Sequence, residues 1–77
     1  MLDHTIAFIG AGTMGRAVLD GLLDTKTVMP DRCICTSRSA TSQAALKAAY
    51  PAGVQITTDN VEAIRQADIV VLGYHVF

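Results

Sequence analysis

Ile6-Ala7-Phe8-Ile9-Gly10-Ala11-Gly12-Thr13-Met14-Gly15 is the stretch whose reading decides the fold. A short, nearly continuous apolar run, Thr5–Gly10, is a strand buried on both faces, as parallel sheets require. It enters a Gly-x-Gly-x-x-Gly turn directly, and an amphipathic helix over Thr13–Asp24 follows. Each glycine has a task. Gly10 permits the tight turn out of the strand, and Gly12 leaves room for a pyrophosphate to approach the backbone. Gly15 lets the helix pack close to the strand. The free N–H groups and positive dipole end of that helix face an anion.

Outward from this unit the pattern repeats as β-α-β-α-β-α-β. In the first helix Met14, Ala17, Val18, Gly21 and Leu22 fall at helical spacing and are expected to face the core. Arg16, Asp20 and Asp24 fall mainly on the other side. Lys26–Arg32 reads as a loop punctuated by Pro30, and Cys33–Ser37 as the second strand. Ser39 offers an N-cap for a helix over Ala40–Tyr50, ended by Pro51. Gly53–Thr57 is a third, shorter strand. Asp59 begins a helix, with Glu62 completing a capping-box-like pair and Val61 and Ile64 pointing at the core. Ile69–Gly73 is the fourth strand and the most apolar segment. Such alternation predicts an α/β, Rossmann-like parallel sheet with right-handed crossover helices and strand order 3-2-1-4. That order leaves the fourth strand on an open edge.

Length and charge narrow the function. The 77 residues allow one domain, which buries only roughly 60% of its unfolded surface. Half the residues are apolar and the net charge is -1, a globular balance. The basic residues Arg16, Lys26, Arg32, Arg38, Lys47 and Arg65 are scattered, so no nucleic-acid footprint exists. No apolar run approaches a membrane span, and Asp3 stands where a signal peptide carries positive charge. A cytoplasmic location is expected. Cys33 and Cys35, two apart on a strand, face one side and pack as small hydrophobes. No second Cys or His pair completes a metal site, so no metal is expected.

The end of the second strand speaks to the cofactor. NAD-preferring sheets usually carry an acid there for the ribose 2′-hydroxyl. This chain has Thr36-Ser37-Arg38-Ser39, and Asp31 lies at the strand's other end. Arg38 suits a 2′-phosphate, with Ser37 and Ser39 as hydrogen-bond donors. NADPH is therefore expected in preference to NADH. Asn60, after the third strand, is placed near the adenosine end of the cofactor, with helix capping as the plainer reading of the Asp59-Asn60 pair.

The glycine stretch, Leu19-Asp20-Gly21-Leu22-Leu23, Ser37-Arg38-Ser39, Asp59-Asn60 and Ala67-Asp68-Ile69-Val70-Val71-Leu72-Gly73 together resemble the opening of pyrroline-5-carboxylate reductases. The resemblance runs from Ile6 to Gly73. It implies hydride transfer from NAD(P)H to the C=N bond of 1-pyrroline-5-carboxylate, giving proline. It also assigns cofactor contacts to Gly10, Ala11, Gly12, Thr13, Met14, Gly15, Ser37, Arg38, Ser39 and Asn60.

The likeness ends at Tyr74-His75-Val76-Phe77, where the family continues into a Lys-Pro segment; His75 and Val76 stand in those places. The resemblance thus implies a truncated N-terminal dinucleotide-binding domain over residues 1–77, inactive alone. The family's helical C-terminal domain, which supplies substrate contacts and the homo-oligomer interface, is not in this sequence. No catalytic residue is assigned: His75 reads as a tail residue and His4 as a surface one. Two other readings stay open. One is the front of another NADP-dependent reductase, of the 3-hydroxyacid dehydrogenase or coenzyme F420-dependent type. The other is a non-catalytic nucleotide-binding fragment or gene remnant.

Overall fold

The computed structural model of the chain describes residues 3–10, 13–50 and 53–72, and for residues 13–15 the backbone alone. Four strands form one parallel sheet: β1 (Ile6–Ile9), β2 (Cys33–Thr36), β3 (Gln55–Thr57) and β4 (Ile69–Leu72). Their order is β3-β2-β1-β4, as the sequence pattern requires. The crossovers are α1 (Thr13–Asp24), α2 (Ala40–Ala49) and α3 (Asn60–Gln66). The result is a Rossmann-like α/β fold.

β1 occupies the centre because all four of its side chains are apolar and all four are buried. It pairs with β2 through Ile6–Cys33 and Phe8–Cys35, and with β4 through Ile6–Ile69 to Ile9–Leu72. Side chains alternate between the two faces of a sheet. Ile6, Phe8, Cys33 and Cys35 therefore pack with Leu19 of α1 and Leu46 of α2. Ala7, Ile9 and Ile34 pack on the opposite face with Ala63 of α3. Both cysteines are fully buried, as expected of small hydrophobes. Burial disfavours their thiolates, pushing Cys35 up to about 12 and Cys33 to about 11.

Two helices turn differently from expectation. In α1, Leu22 packs against the core as expected and the Met14 side chain lies outside the described residues, but Ala17, Val18 and Gly21 are exposed, Val18 at 45%, while Leu19 is fully buried and Leu23 packs beside it. The segment Ala17-Val18-Leu19 and the pair Leu22-Leu23 make α1 apolar around much of its circumference. Periodicity alone then allows two faces, and the bulkier leucine stripe wins. In α3, Val61 and Ile64 are 63% and 48% exposed, whereas Ala63 is buried with Ala67 packed nearby. Both pairs have helical spacing. The small alanines let this short helix approach the sheet closely.

Helix ends are set by local chemistry. The hydroxyl of Ser39 caps α2 by accepting from the Ser42 amide at 3.0 Å. α2 stops at Ala49; Tyr50, preceding Pro51, is extended at φ -115 and ψ 150, the conformation a following proline favours. α1 ends at Asp24, and Lys26, two residues beyond, is left-handed at φ 56. There the Thr27 amide donates to Leu22 C=O at 3.0 Å and the Lys26 amide to Leu23 C=O at 3.1 Å, closing a Schellman turn without glycine. The expected loop Lys26–Arg32 also contains a 3-10 turn, Pro30–Arg32, started by the pre-set φ of proline.

The strands are shorter than their apolar runs. β2 ends at Thr36 and β3 begins at Gln55, while Gly73 of the expected fourth strand lies outside the described residues. β4 begins beside β1 because Asp68 ties the two together. Its Oδ2 accepts from the Thr5 amide at 2.9 Å, and its own amide donates to Thr5 C=O at 2.8 Å. Among the described residues no strand pairs with the outer side of β4, and its apolar Ile69, Val70 and Leu72 are exposed.

Leu19→Ala should destabilise the chain by about 2–5 kcal/mol, because it empties a buried site. Val18→Ala should change stability by less than about 0.5 kcal/mol. Urea denaturation followed by circular dichroism measures both; equal losses would contradict the orientation of α1.

Candidate cofactor site at the carboxyl edge

All four parallel strands end on one edge of the sheet, and each expected cofactor residue lies in the chain leaving such an end. Gly10 follows β1, Ser37–Ser39 follow β2 and Asn60 follows β3. Crevices at this edge are where open α/β sheets bind ligands.

Gly10 has φ 63, a left-handed conformation that glycine adopts without a Cβ penalty. The chain turns there, and α1 begins at Thr13. Ala11 and Gly12 lie outside the described residues, as do the side chains of Thr13 and Met14. The backbone of Thr13–Gly15 forms the first turn of α1, whose leading N–H groups have no acceptor within the helix. That turn carries no acidic residue, so no carboxylate of its own offsets the positive pole of the twelve-residue helix.

Beside it, the chain leaving β2 is braced at several points. The Ser37 amide donates to Thr57 C=O at 3.0 Å, prolonging the β2–β3 ladder by one bond. Gln43 Nε2 donates to Ser37 C=O at 3.4 Å. Ser39 spends an oxygen lone pair on its helix cap, which leaves its hydroxyl proton to donate elsewhere. Arg38 is exposed, and among the described residues it makes no ion pair. Its guanidinium is thus available to an incoming anion. No carboxylate stands in this turn; Asp31 sits in the 3-10 turn before β2, at the opposite edge of the sheet.

Past β3, Asp59 is the N-cap of α3, and its Oδ1 accepts from the Glu62 amide at 2.9 Å. The capping box is only half formed. The Asp59 amide donates to Thr57 Oγ1 at 3.1 Å, and Glu62 Oε1 accepts from Gln66 Nε2 at 3.1 Å. Thr57, two residues before Asp59, is the nearer acceptor and takes the bond that Glu62 would have taken. Asn60, half-buried, opens α3 at this edge, free of the capping duty that Asp59 performs.

Sequence reasoning overlooked Thr36. This last residue of β2 is fully buried, and its Oγ1 accepts from the Gly10 amide at 2.9 Å. A hydroxyl residue closing the run Cys33-Ile34-Cys35 could have singled it out, although nothing local names Gly10 as its partner.

A groove of about 660 Å³ lies elsewhere, lined by Asp20, Asp24, Lys26, Met29 and Tyr50 among others. It gathers the carboxyl ends of α1 and α2, and its two carboxylates outnumber its one lysine, a balance that disfavours a pyrophosphate. Arg16 of α1, outside that lining, reaches Tyr50, with its Nε 3.5 Å from the hydroxyl and its guanidinium 5.6 Å from the ring centroid. Among the described residues, no group of histidine, cysteine, aspartate or glutamate side chains suits a metal. No described helix is long and apolar enough to cross a membrane.

A parallel sheet with a glycine turn and an acid-free helix start at its carboxyl edge is a dinucleotide-binding domain of the Rossmann type. The profile of the family described as "NADP oxidoreductase coenzyme F420-dependent" matches residues 5–77, and the chain belongs to that family. It is also similar to curated proteins named pyrroline-5-carboxylate reductase. The one from Lophium arboricola is 36% identical over 92% of this chain and 29% of its own length. Those from Vibrio alginolyticus and Methanosarcina acetivorans are 37% and 32% identical, over 92% and 94% of this chain and 25% and 26% of theirs. The chain therefore spans under a third of the length of these relatives.

Asp59→Ala should cost about 1 kcal/mol by removing the cap of α3, and Asp59→Asn should cost only a few tenths. Thermal melting of the two variants checks this ordering.

Proposed function

We propose that the chain is the NADP-binding part of a reductase that converts 1-pyrroline-5-carboxylate to proline. The observation that carries the cofactor half is the pairing of two features at one edge. The start of α1 carries no acid, and the turn after β2 offers Arg38 and no carboxylate. The names of the similar curated proteins support the substrate half.

NADPH supplies the hydride when bound; the residues of this chain bind and orient it. Gly10, Ala11, Gly12 and the amides of Thr13, Met14 and Gly15 receive the pyrophosphate. Arg38 pairs with the 2′-phosphate as a planar fork, and Ser37 and Ser39 donate hydrogen bonds beside it. Asn60 lies toward the adenosine. A substrate site and homo-oligomer contacts belong to sequence beyond these 77 residues, which by themselves bind the cofactor without turnover. The family description favours a second reading, a reductase that exchanges hydride with coenzyme F420. The two readings share the NADP site and differ in the hydride partner.

Isothermal titration of the chain with NADPH and NADH tests the cofactor assignment. NADPH should bind more tightly. Arg38→Ala should weaken NADPH by about 10- to 100-fold, the worth of a hydrogen-bonded charge pair, and leave NADH nearly unchanged. Equal losses for both would sink the assignment. Proline formation by the chain alone, at the rate of a complete reductase, would refute its restriction to binding.

A further inference from the structure

Thr36 is the buried polar residue among the described ones, and its position is unusual. It closes a strand whose other members are Cys33, Ile34 and Cys35, where valine would fill the same space without burying a hydroxyl. The partner of that hydroxyl is the amide of Gly10, 2.9 Å away and the first residue beyond β1. The β1–β2 ladder runs in register through Phe8–Cys35, and at Gly10 the backbone swings left-handed at φ 63. As the chain leaves the sheet there, the Thr36 side chain receives the Gly10 amide. Thr36 is itself held firmly. The next amide, that of Ser37, is bound to Thr57 C=O, and Ser37 C=O accepts from Gln43.

We infer that Thr36 is a positioning residue for the pyrophosphate. Its hydroxyl sets the direction in which the chain enters the glycine turn, and so the aim of the first amides of α1. One side chain thereby joins the pyrophosphate half of the site to the turn that carries Arg38. The inference rests on the cofactor reading above and adds to it a residue that touches no ligand.

The test uses the 77-residue chain, Thr36→Val and Thr36→Ser, with two probes. NADPH engages both halves of the site, whereas adenosine 2′-monophosphate engages the Arg38 turn and the adenosine side near Asn60 but carries no pyrophosphate for the glycine turn. Thr36→Val keeps the shape and loses the acceptor, so NADPH should bind about tenfold more weakly, the value of one hydrogen bond. Adenosine 2′-monophosphate should bind as before. Thr36→Ser keeps the hydroxyl and should restore NADPH affinity. If Thr36→Val does not fold, Thr36→Cys, of similar size and a poor acceptor, should show the same split. Unchanged NADPH affinity in the valine variant overturns the inference and leaves the cofactor reading standing. Parallel loss of both probes also overturns it, since that is the mark of general loosening. Failure of the parent chain to bind NADPH overturns the cofactor reading itself, and the inference with it.

Discussion

The double pairing of β1 is the constraint on which everything else depends. A strand hydrogen-bonded on both sides and covered on both faces must be apolar at every position, and Ile6–Ile9 meets that demand. Its two faces define the two half-cores, one under α1 and α2 and the other under α3. Because β1 is central and parallel to its neighbours, its carboxyl end lies in the middle of the edge where all connections leave. The glycine turn is there for topological reasons before it is there for chemical ones.

That edge divides its work between backbone and side chains. The start of α1 offers amides and a dipole, which recognise phosphate without regard to the rest of a ligand. The turn after β2 offers a charged fork, which distinguishes one phosphate pattern from another. Lateral hydrogen bonds stitch successive strand ends together, Gly10 to Thr36 and Ser37 to Thr57, and the Asp59 amide folds back on Thr57 at the far end. They run from β1 to β3 across the face that a dinucleotide would cover.

Much of this was legible in the residues, for identifiable reasons. Parallel order and the sequence of elements followed from alternation and from punctuation at Ser39, Pro51 and Asp59, and α1 matched its expected span, while β2, β3 and α2 came out one or two residues shorter than expected. The facing of α1 and α3 was not legible, because Leu19 competes with Val18, and Ala63 with Ile64, at equally helical spacings. Packing against the sheet decides such ties, and it favoured the bulky side chain in one helix and the small one in the other. The Gly10–Thr36 bond joins residues 26 positions apart, and the Thr5–Asp68 bond residues 63 apart, so local pattern holds no trace of either. The half-formed box at Asp59 shows the reverse error. A correct local motif was overruled by Thr57, a still more local acceptor.

The two cysteines of β2 have a consequence of a different kind. Their side chains sit in the half-core that joins β1, β2, α1 and α2, and burial suppresses their ionisation. A thiol reacts as its thiolate and only where a reagent can reach it. In the closed molecule both requirements fail together, and they are met together when that half-core opens. Native chemistry therefore places a clock inside the sheet: the pace at which Cys33 and Cys35 are modified is the pace at which the centre of the fold comes apart.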